Sequence, residues 1–259
     1  MSKLKKFAII GGVVVAGGAV VALTATRVPG VVRVTDDAPR YAGAEIQQIE
    51  HGLTMYRAEY QRWTAVLGIT VQRTDAVQSA ERTADGSIDA VFEFPGQGHD
   101  FMRLRERDLV LSERSFGQEG GPGQRFQRVG NRIDAEVIDA EGATRELSFD
   151  YPVAVFEPSL LELPLALLDL APGAAGYLAW SNFGDPEDHW LPFRAIETES
   201  IEAAGRTWET TRVRLAFPDG RQRDYWVATE PPYKIRMVAY ENGSLLTTGW
   251  NLTELEIFD

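Results

Sequence analysis

The 259-residue sequence contains no cysteine. This excludes disulfide bonds, a thiol nucleophile, thiolate metal ligands and a lipidated N-terminal cysteine. Lysine is nearly absent: after three lysines in the first six residues, the only one is Lys234, and we interpret the excess of arginine as a bias of composition and not as a site. There is also no Gly-x-Ser-x-Gly, His-Glu-x-x-His or dinucleotide-binding pattern. We therefore predict no catalytic residue, no metal ligand, no cofactor and no enzymatic activity, with a hydrolase as the least favoured alternative.

The chain has little positive charge, with a net charge of −12. An acidic surface repels backbone phosphates, so we do not expect a nucleic-acid partner. An apolar content of 44% with 10% aromatic residues is that of a folded globular protein and not of a disordered one.

The N-terminus combines three lysines with an uncharged stretch over residues 7–25. The length favours an uncleaved membrane anchor, and a cleaved signal peptide is the alternative. We therefore expect residues 1–26 to be a signal-anchor or signal peptide that contacts the membrane through residues 7–25, followed by a linker over residues 27–39. Because the positive charge comes first, the remainder is expected on the extracytoplasmic side of a bacterial inner membrane, in the periplasm, or free there after cleavage.

A stripe of apolar residues begins soon after the linker. Their spacing of 3 and 4 predicts an amphipathic helix. The stripe consists of Ile46, Ile49, Leu53, Tyr56, Tyr60, Trp63 and Leu67. Packing of this helix on a sheet is favoured over a coiled-coil dimer. Residues 53–63 also alternate weakly, which leaves open a short helix that runs into a strand, with Gly52 at the junction.

Most of the remaining chain alternates in the manner of strands joined by turns, most clearly the meander over residues 193–257. Residues 158–171 interrupt the strands with an apolar segment that contains Pro164. We interpret it as a short, broken helix that plugs a curved sheet. The sequence thus predicts a mainly β (α+β) fold, a curved antiparallel sheet or half-barrel, with one β-rich domain over residues 40–259. Its halves, 40–150 and 174–259, are joined by the plug helix.

One face of the meander mixes aromatic and cationic residues, which is too apolar for a solvated surface. We predict that it lines an amphipathic groove together with the plug helix. The candidate ligand-binding residues are Trp208, Arg212, Arg214, Trp226, Arg236, Tyr240, Leu165 and Leu168. A parity change in the last strand predicts a β-bulge near Thr253. The polar turn over residues 185–190, which contains Asp188 and His189, is interpreted as a solvated loop.

The order of segments resembles the lipoprotein-carrier-like half-barrels of the bacterial envelope and uncharacterised extracytoplasmic β-domain families. The nearest stretches are residues 156–173, then 225–227 and 234–236, and the likeness in layout covers roughly residues 100–257. The resemblance implies a curved sheet that holds apolar cargo or a partner segment. We therefore expect an envelope binding module for a lipid, lipoprotein or peptide. A structural or interaction protein of the envelope is the alternative.

Overall fold

A computed structural model of the chain describes residues 32–50, 52–95, 98–117, 122–168, 170–242 and 244–258. The predicted anchor or signal segment, residues 1–26, lies outside these ranges. Neither helix in the described ranges has the length and apolar character that crossing a membrane requires.

The described chain contains fifteen strands and two short helices. In chain order they are β1 Arg40–Tyr41, α1 Gly43–Ile46, β2 Met55–Val66, β3 Ile69–Arg82, β4 Ser87–Phe94, β5 Gly98–Arg105, β6 Val110–Gly117, β7 Gly123–Val129, β8 Arg132–Ile138, β9 Thr144–Asp150, α2 Glu162–Leu167, β10 Ala175–Ala179, β11 Trp190–Ala203, β12 Arg206–Ala216, β13 Gln222–Val227, β14 Lys234–Tyr240 and β15 Leu246–Phe258.

All fifteen strands form one curved sheet that is not closed into a barrel. Its order is β1-β10-β11-β12-β13-β14-β15-β2-β3-β4-β5-β6-β7-β8-β9. Strands β1 and β9 are therefore the two edges, and β15, the last strand of the chain, lies near the middle between β14 and β2. Every pairing of these strands is antiparallel except that of β1 with β10. The predicted mainly β, curved antiparallel sheet is confirmed.

The N-terminal helix is much shorter than the apolar stripe predicted. Helix α1 ends at Ile46, and residues 55–66 form β2 instead. The alternative, a short helix that runs into a strand, is what the structure shows, with Gly52 in the connection. Strand β2 pairs with both β15 and β3, so both edges of its backbone are hydrogen-bonded and Tyr56, Ala58 and Tyr60 lie on its buried face. The spacing of four between Tyr56 and Tyr60 fits this alternation as well as it fits a helix.

The main core lies between the sheet and the segment around α2. We call the face of the sheet that packs against this segment the inner face and the opposite one the outer face. Helix α2 is shorter than the predicted 158–171, but the segment is as apolar as expected and fills the curve of the sheet. Its buried leucines are Leu160, Leu161, Leu163 and Leu165. A second, smaller core surrounds Phe126, Ile133 and Tyr151.

Register shifts interrupt several strand pairs, and two of them concern the residues discussed below. The register of β15 against β2 shifts between Leu252 and Glu254, so the bulge predicted near Thr253 is confirmed. The register of β13 against β14 shifts at Trp226/Val227, where Val227 pairs with Lys234 and Trp226 pairs with Arg236. As a result Lys234 shares the inner face with Val227, although its even number would place it outside by simple alternation.

Candidate functional site

An inner-face cavity of about 230 Å³ lies between β4, β13, β14, β15 and the segment before α2. Three aromatic rings form one wall. Phe92 and Phe94 stack with their centroids 6.4 Å apart, and Trp250 meets each of them edge-on at 6.0 Å. Met237, Ala239 and Tyr225 from the meander also line the cavity. This arrangement offers an apolar surface with the geometry that aromatic rings prefer.

The floor of the cavity carries Lys234, which is 3% exposed. Its ammonium donates to Gln78 Oε1 at 2.8 Å and to Glu162 Oε1 at 3.3 Å. It also lies 4.9–5.1 Å from the ring centroids of Tyr60, Phe92 and Trp250. Burial lowers the pKa of Lys234, and the neighbouring Glu162 opposes that shift. Since Glu162 belongs to α2, this ion pair attaches the plug helix to the sheet.

Two buried tyrosines complete the floor network. Gln78 Nε2 donates to the Tyr56 hydroxyl at 2.7 Å and to Glu162 at 3.0 Å, and the Tyr60 hydroxyl donates to the Lys234 carbonyl at 2.9 Å. Burial raises the pKa of both Tyr56 and Tyr60 well above the ordinary value, so both hydroxyls keep their protons. The floor is therefore a polar network that is closed except for Glu162 Oε2, which has no partner among the described residues.

The mouth of the cavity carries charges of both signs. Arg221 pairs with Asp219 at 2.6 Å. Arg223 donates to the Pro158 carbonyl at 3.3 Å and has no carboxylate within salt-bridge distance in the described part of the chain. Glu241 lines the same mouth. The mouth is polar while the wall is aromatic, which gives the cavity an amphipathic character.

Five of the predicted ligand-binding residues share the outer face. The Asp224 carboxylate accepts hydrogen bonds from Arg212 at 2.6 Å and Arg214 at 2.6 Å. The Trp226 ring, 4% exposed, lies between the guanidinium groups of Arg212 and Arg236, at 5.0 and 4.8 Å. The fifth is Tyr240, whose pKa is raised by burial. Arg212 and Arg214 are thus paired with Asp224, whereas Arg236 Nε is buried without a hydrogen-bond partner among the described residues. All five side chains lie on the opposite face from the aromatic cavity.

The other three predicted residues are elsewhere. Trp208 is 1% exposed in the main core, where its indole Nε1 donates to the Ala203 carbonyl at 2.9 Å. Leu165 and Leu168 line a second inner-face groove of about 320 Å³, together with Thr211 and Val227. A groove is thus present beside the plug helix, but Trp208 and Trp226 do not line it. The structure does not bring the eight candidates together.

The turn over residues 185–190 is buried towards its C-terminal end, so it is not a solvated loop throughout. His189 is 5% exposed, and its Nδ1 lies 2.9 Å from the Pro186 carbonyl and 3.0 Å from the Glu187 carbonyl. The turn folds back so that the imidazole ring packs beside Tyr151 and Trp190. Burial of the ring corrects the interpretation from sequence. Within the described ranges, no three His, Asp or Glu side chains are grouped so that they could hold a metal ion.

None of the eight predicted ligand-binding residues lines the aromatic cavity. Lys234 was attributed to composition, yet a single lysine after residue 6 in an apolar strand was the available signal. Phe92, Phe94 and Trp250 come from strands that are far apart in the chain, and no local pattern joins them. Their meeting follows from the insertion of β15 beside β2, which alternation alone does not reveal.

No family model and no curated protein matches the chain. Similar solved structures include a β-barrel-like protein of the domain of unknown function DUF1849 from Brucella abortus, with 11% identity and a TM-score of 0.45 over 81% of this chain and 100% of that chain. A DUF1329 family protein from Desulfovibrio piger shows 10% identity and a TM-score of 0.29, over 83% of this chain and 90% of that one.

A third similar structure is a LolA-superfamily protein from Nitrosomonas europaea, with 8% identity and a TM-score of 0.25 over 83% of this chain and 90% of that chain. These are the kinds of protein that the sequence layout resembles, and that prediction is confirmed. All three TM-scores lie below 0.5, and none of these proteins transfers an activity or a ligand to this chain.

Proposed function

We propose that the chain is a binding module of the bacterial cell envelope that holds an apolar or amphipathic ligand on the inner face of its curved sheet. The observation that carries the proposal is the aromatic-walled cavity of about 230 Å³. Binding sites for small molecules are concave and mostly apolar, with a few polar groups that fix orientation. This cavity combines an aromatic wall, formed by Phe92, Phe94 and Trp250, with a larger share of polar groups at its floor and mouth.

The volume of the aromatic cavity limits the size of the ligand. Pockets for drug-sized molecules begin at about 300 Å³, and this cavity is somewhat smaller. A single short alkyl chain fits it, whereas several chains would need the neighbouring 320 Å³ groove beside α2 as well. The two spaces lie on the same face, so a longer ligand would extend from one towards the other.

The proposed role is ligand binding without catalysis. The charged groups of the floor are engaged with each other: the Lys234 ammonium with Glu162, and Glu162 with Gln78. Such a network holds the plug segment against the sheet. The proposed location is extracytoplasmic, with tethering to the membrane through residues 7–25, on the basis of the lysines that precede that apolar stretch.

The test is uptake of the uncharged fluorescent probe N-phenyl-1-naphthylamine by the purified protein. We expect saturable binding that Trp250→Ala weakens by about tenfold or more, because the variant removes the ring that contacts both other rings of the aromatic wall. Trp226→Ala is the matched control, since its ring lies on the outer face, and its affinity should match that of the wild type. Absence of saturable uptake by the wild type, or equal loss in both variants, would overturn the proposal.

An interaction protein of the envelope is the second candidate. It is favoured by exposed apolar side chains at the adjoining ends of β2, β3 and β15. These are Val66, Leu67, Ile69, Val71 and Leu245. Clustered exposed apolar residues are typical of contact surfaces. Sedimentation of an Ile69→Ser/Val71→Ser variant with envelope vesicles, compared with the wild type, tests this role: equal sedimentation would exclude the patch.

A further inference from the structure

Arg62 lies on the inner face of β2, next to the aromatic wall. Its guanidinium carbon is 4.9 Å from the Phe94 ring centroid and 5.0 Å from that of Trp250. Arg62 is the cross-strand neighbour of Trp250 on one side and of Thr74 on the other. Stacking on two rings holds the planar guanidinium in one place.

Arg62 is a partly buried cation without a counter-ion. In the part of the chain that the structure describes, no carboxylate lies within salt-bridge distance of it and its nitrogens make no hydrogen bond. Burial lowers the pKa of Arg62 from its ordinary value. A desolvated charge is costly unless it is paired. Lys234, whose ammonium lies 4.9 Å from the same Trp250 ring, has Glu162 as its partner.

A small polar pocket opens at Arg62. Its volume is about 150 Å³. The hydroxyl and amide groups around it are those of Thr64, Gln72, Thr74 and Thr248. None of these side chains makes a hydrogen bond within the described ranges. The Arg62 guanidinium and several side chains with free hydrogen-bond donors can together bind the oxygens of an anion.

The polar pocket adjoins the aromatic cavity. Trp250 and Thr248 line both of them. The Trp250 ring therefore separates an apolar compartment, on the side of Phe92 and Met237, from a cationic and hydroxyl-rich one, on the side of Arg62. A molecule that filled both would be apolar at one end and anionic at the other.

We propose that the ligand is an anionic amphiphile, a single alkyl chain with a carboxylate or phosphate group, and that Arg62 determines this specificity by binding the anionic group. The inference rests on the proposed function, since the alkyl chain occupies the aromatic cavity. Arg62 provides the charge, the threonine hydroxyls provide further donors, and Trp250 contacts the first part of the chain.

The other charged groups that face the cavity do not offer an equivalent anion site. Lys234 is paired with Glu162, and Arg221 is paired with Asp219. Arg223 is without a carboxylate among the described residues, but it is engaged by the Pro158 carbonyl and shares its part of the mouth with Glu241. Arg223 is therefore the alternative site for the anionic group, and the experiment distinguishes it from Arg62.

The experiment compares decyl phosphate, decan-1-ol and inorganic phosphate, with affinity measured by displacement of N-phenyl-1-naphthylamine and by calorimetry. We expect the wild type to bind decyl phosphate about 10- to 100-fold more tightly than decan-1-ol, the range that one charged hydrogen-bonded contact provides. Inorganic phosphate should bind far more weakly than decyl phosphate. Arg62→Met should remove the preference while keeping the affinity for decan-1-ol, and Arg62→Lys should keep part of it.

Arg223→Met is the matched control and should keep the preference. Loss of the preference in Arg223→Met and not in Arg62→Met would overturn the assignment to Arg62. Equal binding of decyl phosphate and decan-1-ol by the wild type would overturn the anionic specificity and leave the proposed function intact. Equal binding of inorganic and decyl phosphate would identify a site for a free anion and overturn the amphiphile. Binding of neither decyl compound would overturn the proposed function itself.

Discussion

Arg214 and Arg62 lie on opposite faces of one sheet, and they differ in how their charge is balanced. On the outer face, Arg214 shares the fully buried Asp224 carboxylate with Arg212. On the inner face, Arg62 stacks on Phe94 and Trp250 without a carboxylate in the described part of the chain. A cation whose charge is balanced within the fold needs no ligand. Arg62 lacks that balance and opens onto a polar pocket, and from these two features together we infer a ligand of opposite charge.

The largest effect is expected where an ion pair is fully buried. We expect Lys234→Met to lower the free energy of unfolding by about 3–5 kcal/mol, because it leaves the Glu162 carboxylate buried without a cation. The double variant Lys234→Met/Glu162→Gln should recover much of this loss, since no unpaired charge then remains. Urea denaturation measures both. A single variant as stable as the wild type would show that this pair does not hold α2 to the sheet.

The next effect is expected on the outer face. Asp224→Ala should lower the free energy of unfolding by about 2–4 kcal/mol, because two guanidinium groups lose their shared carboxylate. Glu197→Ala is the matched control. Its carboxylate also pairs with Arg212 but is 53% exposed, so a loss below about 1 kcal/mol is expected. Equal losses in the two variants, again by urea denaturation, would contradict the role given to burial.

An effect of intermediate size on stability is expected at Glu157, whose carboxylate has a partner at only one of its two oxygens. Glu157 Oε1 accepts from Arg114 at 2.9 Å, while Oε2 has no partner among the described residues. Burial raises the pKa of Glu157 above its ordinary value of 4.5, against the opposing effect of Arg114. The folded chain then binds this proton more readily than the unfolded chain, so the contribution of Glu157 to stability falls as pH rises from 4.5 through the raised value.

The matching variant is Glu157→Gln, with urea denaturation over roughly pH 4 to 7. The stability of the wild type relative to this variant should decrease with rising pH across that window, by about 1.4 kcal/mol for each pH unit that separates the two pKa values. A difference that stays constant with pH would mean that Glu157 titrates alike in the folded and unfolded chains.

The smallest effect is expected at Arg62. Arg62→Met should change the free energy of unfolding by less than about 1 kcal/mol, or raise it, because no carboxylate is left unpaired by the substitution. Arg236→Met, which removes a guanidinium stacked on Trp226, provides the comparison on the outer face. A loss as large as that expected for Lys234→Met would show that Arg62 has a counter-ion within the fold, and the proposed anion site would fall.

The sequence predicted the meander, its turns and the bulge near Thr253 because local alternation and turn residues determine them. It predicted a helix too long at residues 46–67 because Tyr56 and Tyr60, four residues apart, fit a helical spacing and a strand alternation alike. Pairing partners decided between them, and β15 lies about 190 residues away in the chain. Trp63 lies on the opposite face of β2, against Gly249. Most of the predicted site lies on the outer face because aromatic and cationic residues stand out there in the sequence. The sequence does not show that arginine side chains of this face pair with a buried carboxylate.

The cavity could not be predicted for a related reason. The bulge that turns Lys234 inward depends on how β14 meets β13, and the contact of Arg62 with Trp250 depends on the register between β2 and β15. Such long-range register is set by the whole sheet, and no window of sequence contains it.

The position of β15 between β14 and β2 has a consequence for the order of assembly. The strands from β2 to β9, and those from β10 to β14, can each pair as successive hairpins before β15 is synthesised. Neither series holds a complete binding site, because Trp250 and the partner edge for β2 arrive with the final thirteen residues of the sheet. The site is therefore complete only when β15 pairs with both β14 and β2, and deletion of β15 would remove a central strand of the sheet and not an edge strand.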